Sequence, residues 1–388
     1  MSIATAGART LPQVPIQITS VEVLALDLPM ITSFKTAHGT TTKKRTLIVR
    51  AEDADGVVGW GEAPAGDLPL YSADTYESSW YALTKLLVPL VAGKRFEGPA
   101  ELAAAYAGYQ GYNMAKHGLE CAAWAIASTK LNRPLCDLFG GNKTRIPTGE
   151  SFGIKSTVEE LLAEIADRVE QGFCRIKVKI EPGWDVDVLC RVVDAHPKVP
   201  VMADGNTGYD PAATGPWEEL DQLGLLMIEQ PFAGDALVEL AELQSRLRTP
   251  ICLDEAALTP GLTAAALKLG AGRIVNIKPA RLGGITPSLA VHDHCLRLGV
   301  PVWCGGLLET GIGRGFNLAL SSLPGFTLPA DMSPARLFYA EDLVDPTFDI
   351  GEDGTIPVPE LPGCGFHVDE RRVRKYQAES WNSERGRH

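Results

Sequence analysis

The sequence predicts an α/β protein: a modified (β/α)7β TIM-like barrel with an N-terminal α+β capping domain. Three observations predict it. Strand-like apolar runs recur about every 25 residues between positions 173 and 304, with amphipathic or turn-rich stretches between them. Before position 140 strands and helices are segregated rather than alternating, which is the pattern of a separate unit. The chain has 388 residues, 45% of them hydrophobic, enough for a barrel of about 250 residues with a second piece attached. An open doubly wound sheet is the alternative. No G-x-G-x-x-G or P-loop follows any of the strand-like runs, which counts against a nucleotide-binding sheet.

In chain order, residues 1–16 are small and polar with two prolines and read as a flexible arm. The capping domain is expected over 17–145. Its strands fall at 18–28, 47–51 and 57–61, rich in β-branched residues and broken by the turn signal Asp55-Gly56. Helical patterns follow at 73–92, 98–108 and 113–131. The barrel is expected over 146–340. It opens with a helix over 156–170, N-capped by Thr157 with Glu160 three residues on, leading into a strand over 173–180. Further strands fall at 200–203, 225–228, 250–253, 273–277 and 301–304, with amphipathic stretches such as 236–247 and 286–298. Residues 341–388 are rich in Pro, Gly and Asp and are expected to return to the capping domain.

Composition narrows the function class. Thirty-six Lys and Arg against 48 Asp and Glu give a net charge of −12, and a globally acidic chain disfavours nucleic acid as a partner. The eight cysteines are scattered with no C-x-x-C pair, which predicts reduced thiols in a cytoplasmic protein rather than a disulfide framework. The first residues lack the charged and apolar regions of a secretory signal, and no apolar run approaches the ~18 residues that span a bilayer. No membrane partner is expected.

The chemistry lies in what ends each strand. Val201-Met202-Ala203 runs into Asp204, Leu226-Met227-Ile228 into Glu229, and Ile251-Cys252-Leu253 into Asp254. The spacings are 229 − 204 = 25 and 254 − 229 = 25, so each acid occupies the same place in consecutive βα units. In a barrel that place is the C-terminal mouth, where active sites are built. One acid at a strand end merely caps the next helix; three in register would repel one another unless a cation joined them. An all-oxygen set suits Mg²⁺ better than Zn²⁺, with Mn²⁺ or another divalent ion able to substitute.

In Arg175-Ile176-Lys177-Val178-Lys179-Ile180 cations alternate with apolar residues, so Lys177 and Lys179 share one strand face. Alone, such a strand reads as one with a solvated basic face; inside a barrel that face is not bulk solvent. Lys278 closes the sixth strand at 278 − 254 = 24, again in register. Lys179 ends the second strand and Lys278 the sixth, opposite positions of an eight-position barrel. Two amines flanking a divalent ion suit removal of the proton beside a carboxylate, where the metal stabilises the new charge. A lysine acts as the base there if cations or burial lower its pKa, and Arg281 is a candidate cationic neighbour of Lys278. One base suffices for β-elimination; two on opposite faces permit racemisation.

At this level the sequence resembles the enolase superfamily, in the branch of o-succinylbenzoate synthases and N-succinylamino acid (N-acylamino acid) racemases. The resemblance extends over about residues 17–370. It rests on Gly61-Glu62-Ala63, Pro69-Leu70-Tyr71 and Met114-Ala115-Lys116, then on Lys177-Val178-Lys179, Asp204-Gly205-Asn206, Glu229-Gln230-Pro231, Asp254-Glu255 and Asn276-Ile277-Lys278-Pro279. The glycine-rich stretch over 305–314 carries the likeness to the branch. Glu150 departs from the usual apolar residue and Leu307 from the common methionine.

The resemblance implies Mg²⁺ on Asp204, Glu229 and Asp254, and Lys179 with Lys278 as the acid/base pair. Lys177 and Asn206 are implied as supporting polar residues, Ser151 as a residue of the first barrel strand, and Gly305 and Gly306 as backbone N–H donors to the substrate. Arg281 resembles a residue of the racemase-competent subgroup. The segments around 34–41 and 67–71 resemble loops that close over the site. The implied substrate is a small carboxylate bearing a succinyl or N-acyl group, and the implied assembly a homo-oligomer. Two other enzyme readings are a dipeptide epimerase and a muconate-type cycloisomerase, both disfavoured by the 305–314 stretch. A reading from another class is a non-catalytic metabolite- or metal-binding relative, disfavoured by the intact lysines and acids. Among the histidines, His292 and His294 are two apart on a helix and share no face, His117 reads as structural, and none ends the seventh strand.

Overall fold

The computed structural model describes residues 9, 11–36 and 39–384, and of residues 33–41 only the backbone. Most of the expected flexible arm therefore lies outside the described residues, as do the side chains of most of the segment around 34–41. The N-terminal unit is built on a long hairpin, β1 (Ile16–Thr36) and β2 (Gly39–Asp53), with β3 (Val58–Ala63) antiparallel to β2. The Asp55-Gly56 turn forms as predicted. Gly56 takes φ 75°, and the Asp53 carboxylate accepts the N–H groups of Asp55 and Val57.

The helical run expected over 73–92 starts at Tyr76, where Thr75 and Ser78 form a capping box. It opens into a π turn over Ala82–Leu87 and closes with one α turn. The run at 98–108 shortens to Pro99–Ala104, since Gly108 lies just beyond and single turns replace the helix. Helix α1 (Asn113–Leu131) lies across the sheet, buried along most of its length. Its approach is close because Gly59 and Gly61 have no side chain: a Cβ on either would strike the Ala122 or Gly118 carbonyl oxygen.

The barrel strands are β4 (Glu150–Phe152), β5 (Ile176–Lys179), β6 (Val201–Asp204), β7 (Ile228–Glu229), β8 (Ile251–Leu253), β9 (Ile274–Ile277) and β10 (Val302–Cys304). They pair in parallel and in chain order. They are shorter than the apolar runs suggest, because barrel tilt staggers neighbours and few residues are laddered on both sides. An irregular segment joins the two edges of the curled sheet: Phe326 bridges to Val302 and Ala330 to Thr148.

Helices follow the strands: α2 (Val158–Glu170), α3 (Val186–Ala195), α4 (Trp217–Leu220), α5 (Leu237–Arg246), α6 (Pro260–Leu269), α7 (Pro279–Leu282), α8 (Ile285–Leu298) and α9 (Gly311–Ser321). Thr157 caps α2 by accepting the Glu160 N–H, but Glu160 reaches past it to the Ser156 N–H. Strand alternation divides the barrel. Ile176, Val178, Val201, Ala203, Ile251, Leu253, Val275 and Ile277 pack with the helices. Met202, Met227, Cys252, Ile274 and Trp303 fill the lower interior. Near the C-terminus, β11 (Gln377–Asn382) adds to the first sheet beside β1. Among the described residues no helix is long and apolar enough to cross a membrane, and all eight cysteines are free.

Candidate active site

Above the apolar plug the inward positions turn charged. Asp204 ends β6, Glu229 ends β7 and Asp254 follows β8, all fully buried. Asp204 is the Cα partner of both Lys179 on one side and Glu229 on the other, so the three acids lie on neighbouring strands. Lys179 Nζ donates to Asp204 Oδ2 at 2.6 Å, and Lys278 Nζ to Asp254 Oδ2 at 2.8 Å. The two amines thus stand at opposite flanks of the acid row. Lys177 Nζ reaches Glu229 Oε2 at 3.2 Å and Asp204 at 3.4 Å, and lies 4.9 Å from the Trp303 ring centre.

The supporting residues are drawn to the same place. Asn206, at φ 40°, donates its backbone N–H to Asp204 Oδ1 at 3.0 Å. Arg281 bonds Asp254 and, at 3.2 Å, the Tyr71 hydroxyl. Ser151 is the Cα partner of Lys177, and its buried hydroxyl has no hydrogen-bond partner. A Cβ on Gly305 would fall on the Asn276 amide and the Lys278 side chain, and one on Gly306 on the Arg314 guanidinium, so a side chain at either position would displace a neighbouring group of the site. One expectation needs correction. The Gly305 N–H is donated to Asn276 Oδ1 at 2.8 Å, which leaves Gly306 as the candidate donor to a substrate.

Sequence reasoning gave no individual role to three members of the constellation, although Tyr71 lies in the 67–71 segment expected to close over the site. Asp331, on the irregular eighth segment, pairs with Lys177 at 2.7 Å and with Arg175. Its position after the seventh strand, 331 − 304 = 27, fits the repeat, but Pro329 hides the strand-like run that would have pointed to it. Asn276 Nδ2 donates to Glu229 Oε1 at 2.6 Å; its inward place between Ile274 and Lys278 was a legible signal. Tyr71 reaches in from the N-terminal unit, donating to Asp254 Oδ1 at 2.9 Å with the Lys278 amine 4.4 Å from its ring centre. The excluded histidines stay apart from the site: His292 accepts the Gly325 N–H, and burial pushes His117 down to about 4.

The electrostatics follow from this packing. Burial, then the neighbouring Asp204, pushes Glu229 up to about 8 against the pull of Lys177. Burial would raise Asp204 as well, but Lys179 and Lys177 hold it well below the usual carboxylate range. Lys278 departs from the sequence expectation. Burial is the largest single influence and lowers it, yet Asp254, Tyr71 and Glu229 together outweigh burial and the net shift is upward, so Lys278 holds its proton.

The acids offer only oxygen donors and carry more negative charge than burial tolerates, which is the donor chemistry of a hard divalent cation. Among the described residues no three acid, histidine or cysteine side chains are gathered to hold an ion as they stand, because each acid leans onto a cation or amide instead. The donor set fits the ion; the amines and Arg281 now supply the countercharge. A separate cleft of about 560 Å³ between residues 211–218 and α5 contains none of these groups.

Comparison with known proteins agrees with this geometry. Residues 18–140 match the family model "Mandelate racemase / muconate lactonizing enzyme, N-terminal domain", and residues 160–372 match "Enolase C-terminal domain-like". The chain is 44% identical to an o-succinylbenzoate synthase of Geobacillus kaustophilus, over 93% of this chain and 96% of that protein. It is 41% identical to an N-succinylamino acid racemase of Thermus thermophilus, over 91% and 95%. A crystal structure of an enolase-superfamily member from Listeria innocua superposes with TM-score 0.90 at 34% identity, covering 95% of this chain and 99% of that one. The chain therefore belongs to the enolase superfamily, in the branch that holds these synthases and racemases.

Proposed function

We propose that the protein removes the proton alpha to the carboxylate of a small substrate bearing a succinyl or N-acyl group, and serves both as o-succinylbenzoate synthase and as N-succinylamino acid racemase. The observation that carries the reading is the pair of buried lysines, Lys179 and Lys278, at opposite flanks of three buried acids. Asp204, Glu229 and Asp254 would hold the metal, Mg²⁺ or a divalent substitute. When bound, such an ion supplies a Lewis acid that stabilises negative charge developing on the substrate carboxylate.

The chain's own groups do the rest. Lys179 takes the alpha proton from one face. In racemisation protonated Lys278 delivers a proton to the other face, and the two exchange roles in the reverse direction. In the synthase reaction Lys179 takes the alpha proton and returns it to the β-hydroxyl, which leaves as water, while Lys278 stays a cation that steadies the charge. Lys177 and Asn276 hold Glu229, Asn206 orients Asp204, and Arg281 holds Asp254. The unpartnered Ser151 hydroxyl and the Gly306 N–H are the substrate contacts, and Tyr71 closes the site against water. We place this chemistry in the cytoplasm, on the support of eight free cysteines.

The test follows deuterium entry at the alpha carbon of an N-succinylamino acid in deuterated water, with o-succinylbenzoate formation in parallel. Wild type is expected to catalyse both with Mg²⁺; a chelator should stop both and Mg²⁺ restore them. Lys179→Ala should lower both by about 10³-fold or more, and Lys278→Ala should stop racemisation. Wild-type activity in Lys179→Ala overturns the reading.

A further inference from the structure

Two helices begin just behind the loops of the site, and neither can cap itself. Thr310 is the N-cap of α9 but makes no side-chain capping bond, and Gly284, the N-cap of α8, has no side chain to offer. Both ends are served by carboxylates of the N-terminal unit, joined at α9 by Asp342 Oδ1, which accepts the Gly311 N–H at 2.8 Å. Glu62, on β3, accepts the N–H of Thr310 at 3.0 Å, the N–H of Gly313 at 3.1 Å and the Thr310 hydroxyl at 2.7 Å, all at Oε2. The Thr46 hydroxyl donates to its other oxygen at 2.9 Å. Glu120, on α1, accepts the Thr286 N–H at 2.8 Å, the Thr286 hydroxyl, and the indole N–H of Trp124 at 2.9 Å.

Both carboxylates are fully buried. Each sits where a helix N-terminus presents donors and a favourable dipole to an anion. A Cβ on Gly284 would strike Glu120 Oε2, and one on Gly313 would crowd Glu62 Oε2, so the fit is cut to these two side chains.

We propose that Glu62 and Glu120 are positioning residues, which hold the loops after the seventh and sixth barrel strands by capping the helices behind them. The proposal rests on the function proposed above, since those loops carry Gly306 and Lys278. The seventh-strand loop is fixed at its start by the Gly305 N–H on Asn276, midway by Lys44 Nζ on the Leu307 carbonyl at 2.9 Å, and at its end by Glu62. The sixth-strand loop is fixed by Lys278 and Arg281 on Asp254, by Asn113 Nδ2 on the Arg281 carbonyl at 2.7 Å, and at its end by Glu120. The N-terminal unit thereby sets the geometry of both loops from behind, in addition to covering the site with Tyr71.

The test compares Glu62→Gln and Glu120→Gln with wild type. A glutamine keeps the shape and one acceptor oxygen but replaces the other with an N–H₂ and removes any charge that the helix N-terminus favours, which weakens the cap. Glu62→Gln should raise KM about tenfold with kcat within about threefold, since Gly306 binds substrate rather than moving protons. Glu120→Gln should lower kcat about tenfold with KM within about threefold, since its loop carries Lys278. Hydrogen exchange should show protection lost at Thr310 and Gly313 in the first variant and at Thr286 in the second, with β5 and β9 unchanged. Wild-type kcat, KM and protection in folded variants would overturn the proposal. If Glu62→Gln does not fold, Thr310→Val removes one of the bonds and should shift KM the same way by less. A wild type without α-proton exchange overturns the function instead, and exchange protection then decides the positioning role by itself.

Discussion

Lys177 and Lys179 look alike in the sequence and are used differently in the fold. Alternation put both inside the barrel, and the structure brings both to the acid row. Lys177, held by Asp331, Glu229 and Asp204, is raised despite the opposing effect of burial. Lys179 meets Asp204. No local pattern separates their partners, because Lys177 reaches Glu229 and Asp331, the latter more than 150 positions away. Glu150 shows the opposite case, a residue whose oddity was visible at once. It pairs with Ile176 on the helix-facing side of β4, buried, with the Ser333 hydroxyl donating to it at 2.8 Å. Burial pushes it up to about 7, with Asp331 adding to the shift and Ser333 opposing it. The folded pKa then lies above the unfolded ~4.3, so the folded state keeps a proton that the unfolded state loses. Stability falls as pH rises from about 4.5 to about 7 and is level beyond. Glu150→Gln removes this dependence: equal to wild type near pH 4, it should be more stable at pH 8 by up to about 3 kcal/mol in denaturant titrations.

At the scale of elements, periodic segments were legible and glycine-rich or proline-broken ones were not. Helices α1 (113–131) and α8 (285–298) lie where the apolar spacing put them, the second starting one residue before the expected 286. Helix α9 was visible only as a glycine-rich motif, since Gly311, Gly313 and Gly315 obscure its helical period. Those glycines answer to packing: a Cβ on Gly315 would strike the Cys364 carbonyl oxygen. The same rule joins β3 to α1. Gly61→Ala should destabilise the protein by about 3 kcal/mol, because the clash is with the backbone of α1 and no side chain can rotate away. Thermal or denaturant unfolding measures it, and a loss below about 0.5 kcal/mol would show that the helix can shift at little cost.

Across the whole molecule, the N-terminal unit and the barrel share buried polar bonds through Glu62, Glu120, Lys44 and Asn113, so neither is complete alone. Unfolding should be one transition, with tryptophan fluorescence and far-ultraviolet circular dichroism coinciding in denaturant; separate midpoints would show independent units.

By itself the sequence determined the barrel and the register of three acids with two lysines. Strand alternation and a βα repeat of about 25 residues are local periodicities, and they survive without knowledge of any contact. Only the tertiary structure decided which cation meets which acid, that Gly305 spends its N–H on Asn276, that Asp331 and Tyr71 enter the site, and that Lys278 keeps its proton. Those outcomes depend on groups far apart in the chain and on how completely water is excluded around them, and neither quantity is written in any short stretch of residues.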